Sequence, residues 1–239
     1  MLPGDQLDEE PRTINLFSQG VPLNATAAQI AILQGFGGEN DDVSRQLARY
    51  VKETGENSAT GMNVQLVWRR DPIPSGSDQD SFLEQGDPAV RFTEPNENFN
   101  HEAQNVRVEN GVQFGDLLEF VNFDYLARVT RLVGASLAAL ANSPGAPSNA
   151  RVIITPPVGF LGSNDTELRW AANPESDVVG YDVVWRISTD PLWTFALRVG
   201  NVTDVTIAVR NPANTQFGVR AINSDGDRSP VSYAVPATS

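Results

Sequence analysis

Apolar positions recur with two different periods along the chain, and the change falls near residue 145. In the first stretch the spacing is helical wherever it is regular. Residues 41 to 54 place Val43, Leu47, Tyr50 and Val51 at i, i+4, i+7 and i+8, which predicts one apolar stripe on a helix. Asp41 and Asp42 stand at its positively polarised start and Gly55 at its stop. Met62, Val64, Leu66 and Trp68 then alternate as a strand. A loop holding Pro72 and Pro74 leads to a short helix around Ser81 to Gln85, and Ala89 to Phe92 make another short strand. From Asp124 to Ala141 the set Tyr125, Val129, Leu132, Val133, Leu137 and Leu140 predicts the longest helix of the chain. Residues 1 to 37 read as largely irregular, with a short helical stretch near Thr26 to Gln34. Helices alternating with strands indicate an α/β fold, but two strands fall short of the ~5 to 6 of an average sheet, so the pattern describes part of one.

The segment Asn142-Ser143-Pro144-Gly145-Ala146-Pro147-Ser148 has too many helix breakers to continue the last helix, and we expect a domain boundary there, between residues 1–145 and 146–239. Beyond it the period drops to two. Val152/Ile154, Leu168/Trp170, Tyr181/Val183/Trp185, Val205/Ile207, Phe217/Val219/Ala221 and Val231/Tyr233/Val235 alternate between Asn, Asp, Gly and Pro turns, as in an antiparallel β-sandwich. Trp170, Trp185 and Trp193 suit core or cross-strand packing better than an aromatic platform for sugars.

Composition narrows the chemistry. With 17 basic and 30 acidic residues the formal net charge is −13, which disfavours binding to nucleic acid or anionic lipid, and no apolar run is long enough to span a bilayer. The first residues lack the basic start and apolar middle of a signal peptide. The absence of cysteine excludes disulfides, Cys-ligated zinc and a thiol nucleophile. There is one histidine, His101, which in a polar Asn/Glu segment would by itself read as a solvated surface residue.

Several segments carry a resemblance. Gly37-Gly38-Glu39-Asn40-Asp41-Asp42, Ser44-Arg45-Gln46-Leu47-Ala48-Arg49-Tyr50, Ser75-Gly76-Ser77-Asp78-Gln79-Asp80-Ser81-Phe82, Pro88-Ala89-Val90-Arg91-Phe92-Thr93-Glu94 and Asn98-Phe99-Asn100-His101 together resemble the C-terminal part of bacterial zinc-dependent aminopeptidases, the twenty-eighth family of metallopeptidases. Residues 146 to 239 resemble a fibronectin type III module, on Trp170, Tyr181, Phe217-Gly218-Val219-Arg220-Ala221-Ile222-Asn223, Asp225-Gly226 and Ser229-Pro230. Thr215 stands where such modules usually carry the corner tyrosine, so that hydrogen bond is expected to be absent. The fold class implied is a partial zinc-aminopeptidase-like α/β sheet with helices, plus an all-β immunoglobulin-like sandwich.

The resemblance implies a secreted or periplasmic enzyme that hydrolyses peptides with two zinc ions. It places His101 on the last metal ligand, and Asp78 and Gln79 on the active-site motif that lines the substrate. An imidazole is a good zinc donor, and a loop directly after a sheet strand is a usual place for ligands in α/β enzymes. Gln79 departs from the family's usual His and cannot relay protons near neutral pH. Asn105 departs from a usual Asp. The family's other ligands and its Glu-Glu general-base pair precede the matched region, so the chain reads as an inactive fragment of such a peptidase. Glu39, Asp41, Asp42, Glu94, Glu97 and Glu102 read as surface carboxylates rather than substitutes. The α/β half is expected to be marginal alone and to unfold apart from the sandwich. Two other classes stay open: an adhesion protein whose sandwich holds a cell-wall or matrix ligand, and a glutaminyl cyclase-like zinc enzyme.

Overall fold

The computed structural model describes residues 12–72, 78–154, 164–208 and 210–238. The chain divides its apolar residues between two cores. In the first half, strand β1 (Thr13–Phe17) lies between β2 (Asn63–Val67), parallel to it, and β3 (Arg91–Thr93), antiparallel to it. The residues expected to be irregular therefore supply the central strand. Its alternation of Ile14 and Leu16 inward is only five residues long, and no flanking run of apolar residues advertises it.

Helix α1 (Ala27–Gly35) starts at a capping box in which Thr26 and Gln29 satisfy each other's backbone amides, and it buries no residue. Helices α2 (Val43–Gly55) and α4 (Phe123–Asn142) pack Ala48, Val51 and Leu132 on the sheet with Met62 and Val64. Gly55 permits their contact, since a Cβ there would sit 2.8 Å from Ser136 Oγ and 3.0 Å from Leu132 Cγ. The expected apolar stripes are wrong at single positions. Val43 is 56% exposed, because it opens α2 on the side away from the sheet, and Leu137 faces solvent on α4. Helix α3 (Gln79–Gln85) begins two residues earlier than its pattern suggested. A hairpin of β4 (Arg107–Glu109) and β5 (Val112–Phe114) turns through Asn110 and Gly111, both at positive φ. Ser75, Gly76 and Ser77 of the aminopeptidase-like motif, Pro74, and residues 1–11 of the irregular segment lie outside the described residues.

The second half is a sandwich of two four-stranded sheets. β6 (Arg151–Ile154), β7 (Thr166–Arg169), β10 (Asp204–Ile207) and β13 (Val235–Thr238) form one, in the order β10-β7-β6-β13. β8 (Val178–Ile187), β9 (Phe195–Val199), β11 (Thr215–Asn223) and β12 (Ser232–Tyr233) form the other, in the order β12-β11-β8-β9. Strand β9 escaped the sequence pattern, for Phe195 and Leu197 alternate but remain half exposed. The run ending Val231/Tyr233/Val235 is two strands. The chain changes sheets at Ala234, whose N–H reaches Phe217 O at 2.9 Å, and continues parallel to β6. Trp170 packs edge-on against Tyr181 in the core, as expected. Thr215 is buried, and among the described residues its hydroxyl donates to neighbouring Asn214 Oδ1.

Period two predicted one buried face on β8, yet Asp182, Val184 and Arg186 on its other face are buried too. That face docks on α2. Arg186 Nη2 meets Asp41 Oδ2 at 2.7 Å, Arg49 Nη1 meets Asp41 Oδ1 at 3.2 Å, and the Asp41 carboxylate is fully removed from solvent. Asp42 caps α2 by accepting the Ser44 N–H at 2.9 Å, while Asp41 turns inward. The sequence expectation of surface carboxylates fails for both. Asp41 is buried because it faces two arginines, and Asp42 is buried with its carboxylate turned onto the first turn of α2.

Around the carboxylate the cations and indoles alternate. The Arg49 guanidinium lies 4.9 Å from the Trp68 ring and 5.7 Å from that of Trp193, and Arg186 lies 5.3 Å from Trp193. Trp193 Nε1 donates to Gln46 Oε1 at 3.0 Å, Arg49 Nε to Pro191 O at 2.7 Å, and Arg220 forms a two-pronged pair with Glu53. Burial pulls the Arg49 pKa down to about 10, with the Asp41 charge opposing the fall.

These bonds cross the boundary and argue against separate unfolding of the α/β half. Asp41→Ala leaves two arginines buried without their counter-charge, which costs about 3–5 kcal/mol. Urea unfolding followed by tryptophan fluorescence and far-UV circular dichroism should give one coincident transition for the parent, and an earlier, split one for the variant.

Candidate functional site

His101 sits in the loop that follows β3 and is half buried. Its backbone N–H closes a turn on Asn98 O at 2.8 Å, and Gly115 N–H ties the loop to the hairpin through Asn100 O at 2.9 Å. The imidazole lies flat on the Phe120 ring, with centroids 3.5 Å apart and planes 2° apart. Phe120 belongs to a single 3-10 turn, Leu118–Phe120, that leads into α4. Stacking fixes the plane of the imidazole, so a metal or proton donor must approach from the ring edge. Nothing in the sequence flagged Phe120, because a 3-10 turn of three residues has no periodicity to detect.

The loop does not emerge where ligand loops of α/β enzymes usually do. Those lie beyond the carboxyl ends of parallel strands. Here β3 runs against β1, with Thr93 opposite Asn15, so the chain leaves β3 at the amino ends of β1 and β2. The carboxyl ends are occupied instead by the arginine and tryptophan contacts with the sandwich, where Arg45 Nη2 donates to Trp68 O at 2.9 Å.

Carboxylates of the same loop act on one another. Burial raises the Glu97 pKa, and the charges of Glu102, Asp71 and Glu94 raise it further against the opposing Arg91. Asp71, itself nearly buried, pairs with Arg91 at 3.1 Å. Tyr125, whose hydroxyl donates to Thr13 O at 2.9 Å, is pushed up to about 12 by burial and by Glu94. Glu97, Glu94 and Glu102 thus form a repulsive group rather than isolated surface charges.

Asp78 and Gln79 open α3. Asp78 is exposed and makes no side-chain cap, and Gln79 Nε2 donates to Asp80 Oδ1 at 3.3 Å. Asp80 in turn pairs with Arg70 at 2.9 Å. Among the described residues no hydrogen bond or ion pair joins Asp78 or Gln79 to His101. No group of three or more His, Asp and Glu side chains among them is placed to hold a metal ion, so the described residues alone do not fit a hydrolytic zinc site. No helix among them is long and apolar enough to cross a membrane.

No family model matches the chain. It is similar to fungal proteins named probable zinc metalloprotease. The one from Leptosphaeria maculans is 42% identical over 233 residues, covering 98% of this chain and 53% of the relative. Those from Pyrenophora teres f. teres and Pyricularia oryzae are 42% and 40% identical, each over 98% of this chain and over 48% and 46% of their own lengths. The chain therefore spans about half the length of the curated relatives it matches. Among solved structures, an Fn3-like protein from Clostridium thermocellum aligns with 41% of this chain and 96% of its own at 16% identity and TM-score 0.33. The fn3 domain of human collagen alpha-1(XX) aligns at 20% identity and TM-score 0.32, over 41% of this chain and 88% of its own.

The raised Glu97 pKa has a sign. Its folded form holds the proton more tightly than the unfolded chain, so its stabilising contribution is full below the unfolded pKa and is lost as pH rises through the folded one. Glu97→Gln should therefore raise the melting temperature by about 1–2 °C at pH 7, where the charge is repelled, and leave it unchanged below about pH 4. Differential scanning calorimetry at both pH values measures this.

Proposed function

We propose that the chain is the C-terminal part of a secreted, zinc-dependent exopeptidase of the aminopeptidase type, and is inactive without the rest of the polypeptide. The observation that carries this reading is the 42% identity to a probable zinc metalloprotease over nearly all of this chain but only 53% of the relative. The single stacked imidazole of His101 agrees with it, since one histidine suffices for a contributing half but not for a whole site. In this reading His101 supplies one donor to the zinc site, Asp78 and Gln79 line the bound peptide, and the remaining ligands and the general base come from the preceding half. The sandwich, by its resemblance a fibronectin type III module, is held against α2 by Asp41, Arg49 and Arg186.

The chain alone, supplied with zinc, should release no nitroaniline from leucine p-nitroanilide. Joined behind the preceding half of the Leptosphaeria maculans relative, it should hydrolyse that substrate, and His101→Ala should lower kcat/KM by more than about 100-fold, beyond the usual loss from an outer-shell change. Hydrolysis by the isolated chain, or a joined His101→Ala variant that keeps its rate, would overturn the reading.

A further inference from the structure

Asn164-Asp165-Thr166 is an Asn-X-Thr triplet with a non-proline middle residue, the pattern that accepts N-linked oligosaccharide. Asn24-Ala25-Thr26 and Asn201-Val202-Thr203 have the same form. Asn164 differs in what lies beside it. It is exposed and lines an open cleft of about 420 Å³ at one end of the sandwich, together with Trp185, Ile187, Phe195, Arg210 and Asn214.

Trp185 pairs across the strands with Phe195 on one side and with core residue Phe217 on the other, so the inner face of this sheet runs outward past the core. The Trp185 and Phe195 rings stack at 5.6 Å with planes 14° apart, and Phe195 remains 49% exposed. Trp185 Nε1 has no hydrogen-bond partner among the described residues. The three tryptophans weighed as a platform thus separate: Trp170 is core, Trp193 joins the two halves, and Trp185 lines a cleft beside an acceptor asparagine.

We propose that Asn164 carries an N-linked oligosaccharide and that its first N-acetylglucosamine fills this cleft against Phe195 and Trp185. The proposal rests on the secreted reading above. In the coupling the Asn164 side-chain nitrogen bonds to the anomeric carbon of a lipid-linked oligosaccharide, loses one proton, and displaces the polyprenyl pyrophosphate, under a host transferase. Thr166 is buried in the fold, with its hydroxyl bonded to Arg210 O, so the transfer precedes the pairing of β7. The apolar face of a pyranose suits an aromatic ring, and Asn211, whose Nδ2 donates to Asn164 Oδ1 at 3.3 Å, and Asn214 stand at the rim beside the attachment point. Covalent attachment holds the sugar at high effective concentration, so a weak stacking contact is enough to keep it in place. Asn201 lacks this setting, its Nδ2 already donating to Val178 O at 3.4 Å.

The test is secretion of the full chain from yeast behind a heterologous leader, followed by trimming with endoglycosidase H to one sugar per site. Mass spectrometry should find one N-acetylglucosamine on the tryptic peptide that follows Arg151 and ends at Arg169, absent in Asn164→Gln. The trimmed protein should melt about 2–4 °C above Asn164→Gln, and that gap should close when both carry Phe195→Ala, a substitution at a half-exposed position. An unmodified Asn164 in secreted protein overturns the proposal, as does a melting gap that Phe195→Ala leaves intact. The leader supplies entry to the pathway, so either failure concerns Asn164 and its cleft, whereas failure of the peptidase reading appears only in the anilide assay.

Discussion

One carboxylate, Asp41, holds this molecule in a single arrangement. It lies between Arg49 of its own half and Arg186 of the sandwich, out of reach of water. A buried ion pair adds little net stability over a well-packed apolar contact, but a buried cation deprived of its partner is costly, so such pairs act mainly as determinants of register. Arg186 reaches the Asp41 carboxylate just ahead of α2, while Arg220 of the same sheet reaches Glu53 further along the helix. The stacked order of Trp68, Arg49, Trp193 and Arg186 extends the same constraint, since each guanidinium is sandwiched or flanked by an indole. The two halves are therefore set at one angle, and the outer face of β8 and β11 is as buried as the inner one.

Sequence periodicity reached the elements that bury one face by themselves. α2, α4, β2 and most sandwich strands have enough alternating or helically spaced apolar residues to be read directly. β1 was missed because five residues in a long polar terminus give no periodic contrast, although it is the strand on which the first sheet is built. β9 was missed because its apolar residues stay half exposed. Asp41 was misread for a different reason. Two adjacent aspartates at a helix start look alike in sequence, and only the partner 145 residues away distinguishes the cap from the buried anion.

The candidate site was legible in its residues and not in its setting. His101 could be singled out as the only imidazole, and the loop after β3 followed from the pattern. That β3 is antiparallel was not visible, and it moves the loop to the amino ends of the parallel pair. The mutual repulsion of Glu94, Glu97 and Glu102 also emerges only once the loop folds back toward Arg91 and Asp71. A polar segment of this kind is tolerated because its backbone is closed by a local turn at Asn98 and tied to the hairpin through Asn100 rather than by a sheet ladder.

The way the chain leaves the sandwich has a mechanical result. β13 runs parallel to β6, and the four facing pairs from Val235 with Arg151 to Thr238 with Ile154 lie side by side. Tension applied between the segment entering β6 and the end of β13 pulls these parallel strands from opposite ends. The ladder is then loaded in shear, all its bonds bearing force together, instead of being unzipped one at a time. The sandwich is thereby suited to resist traction applied along its first and last strands.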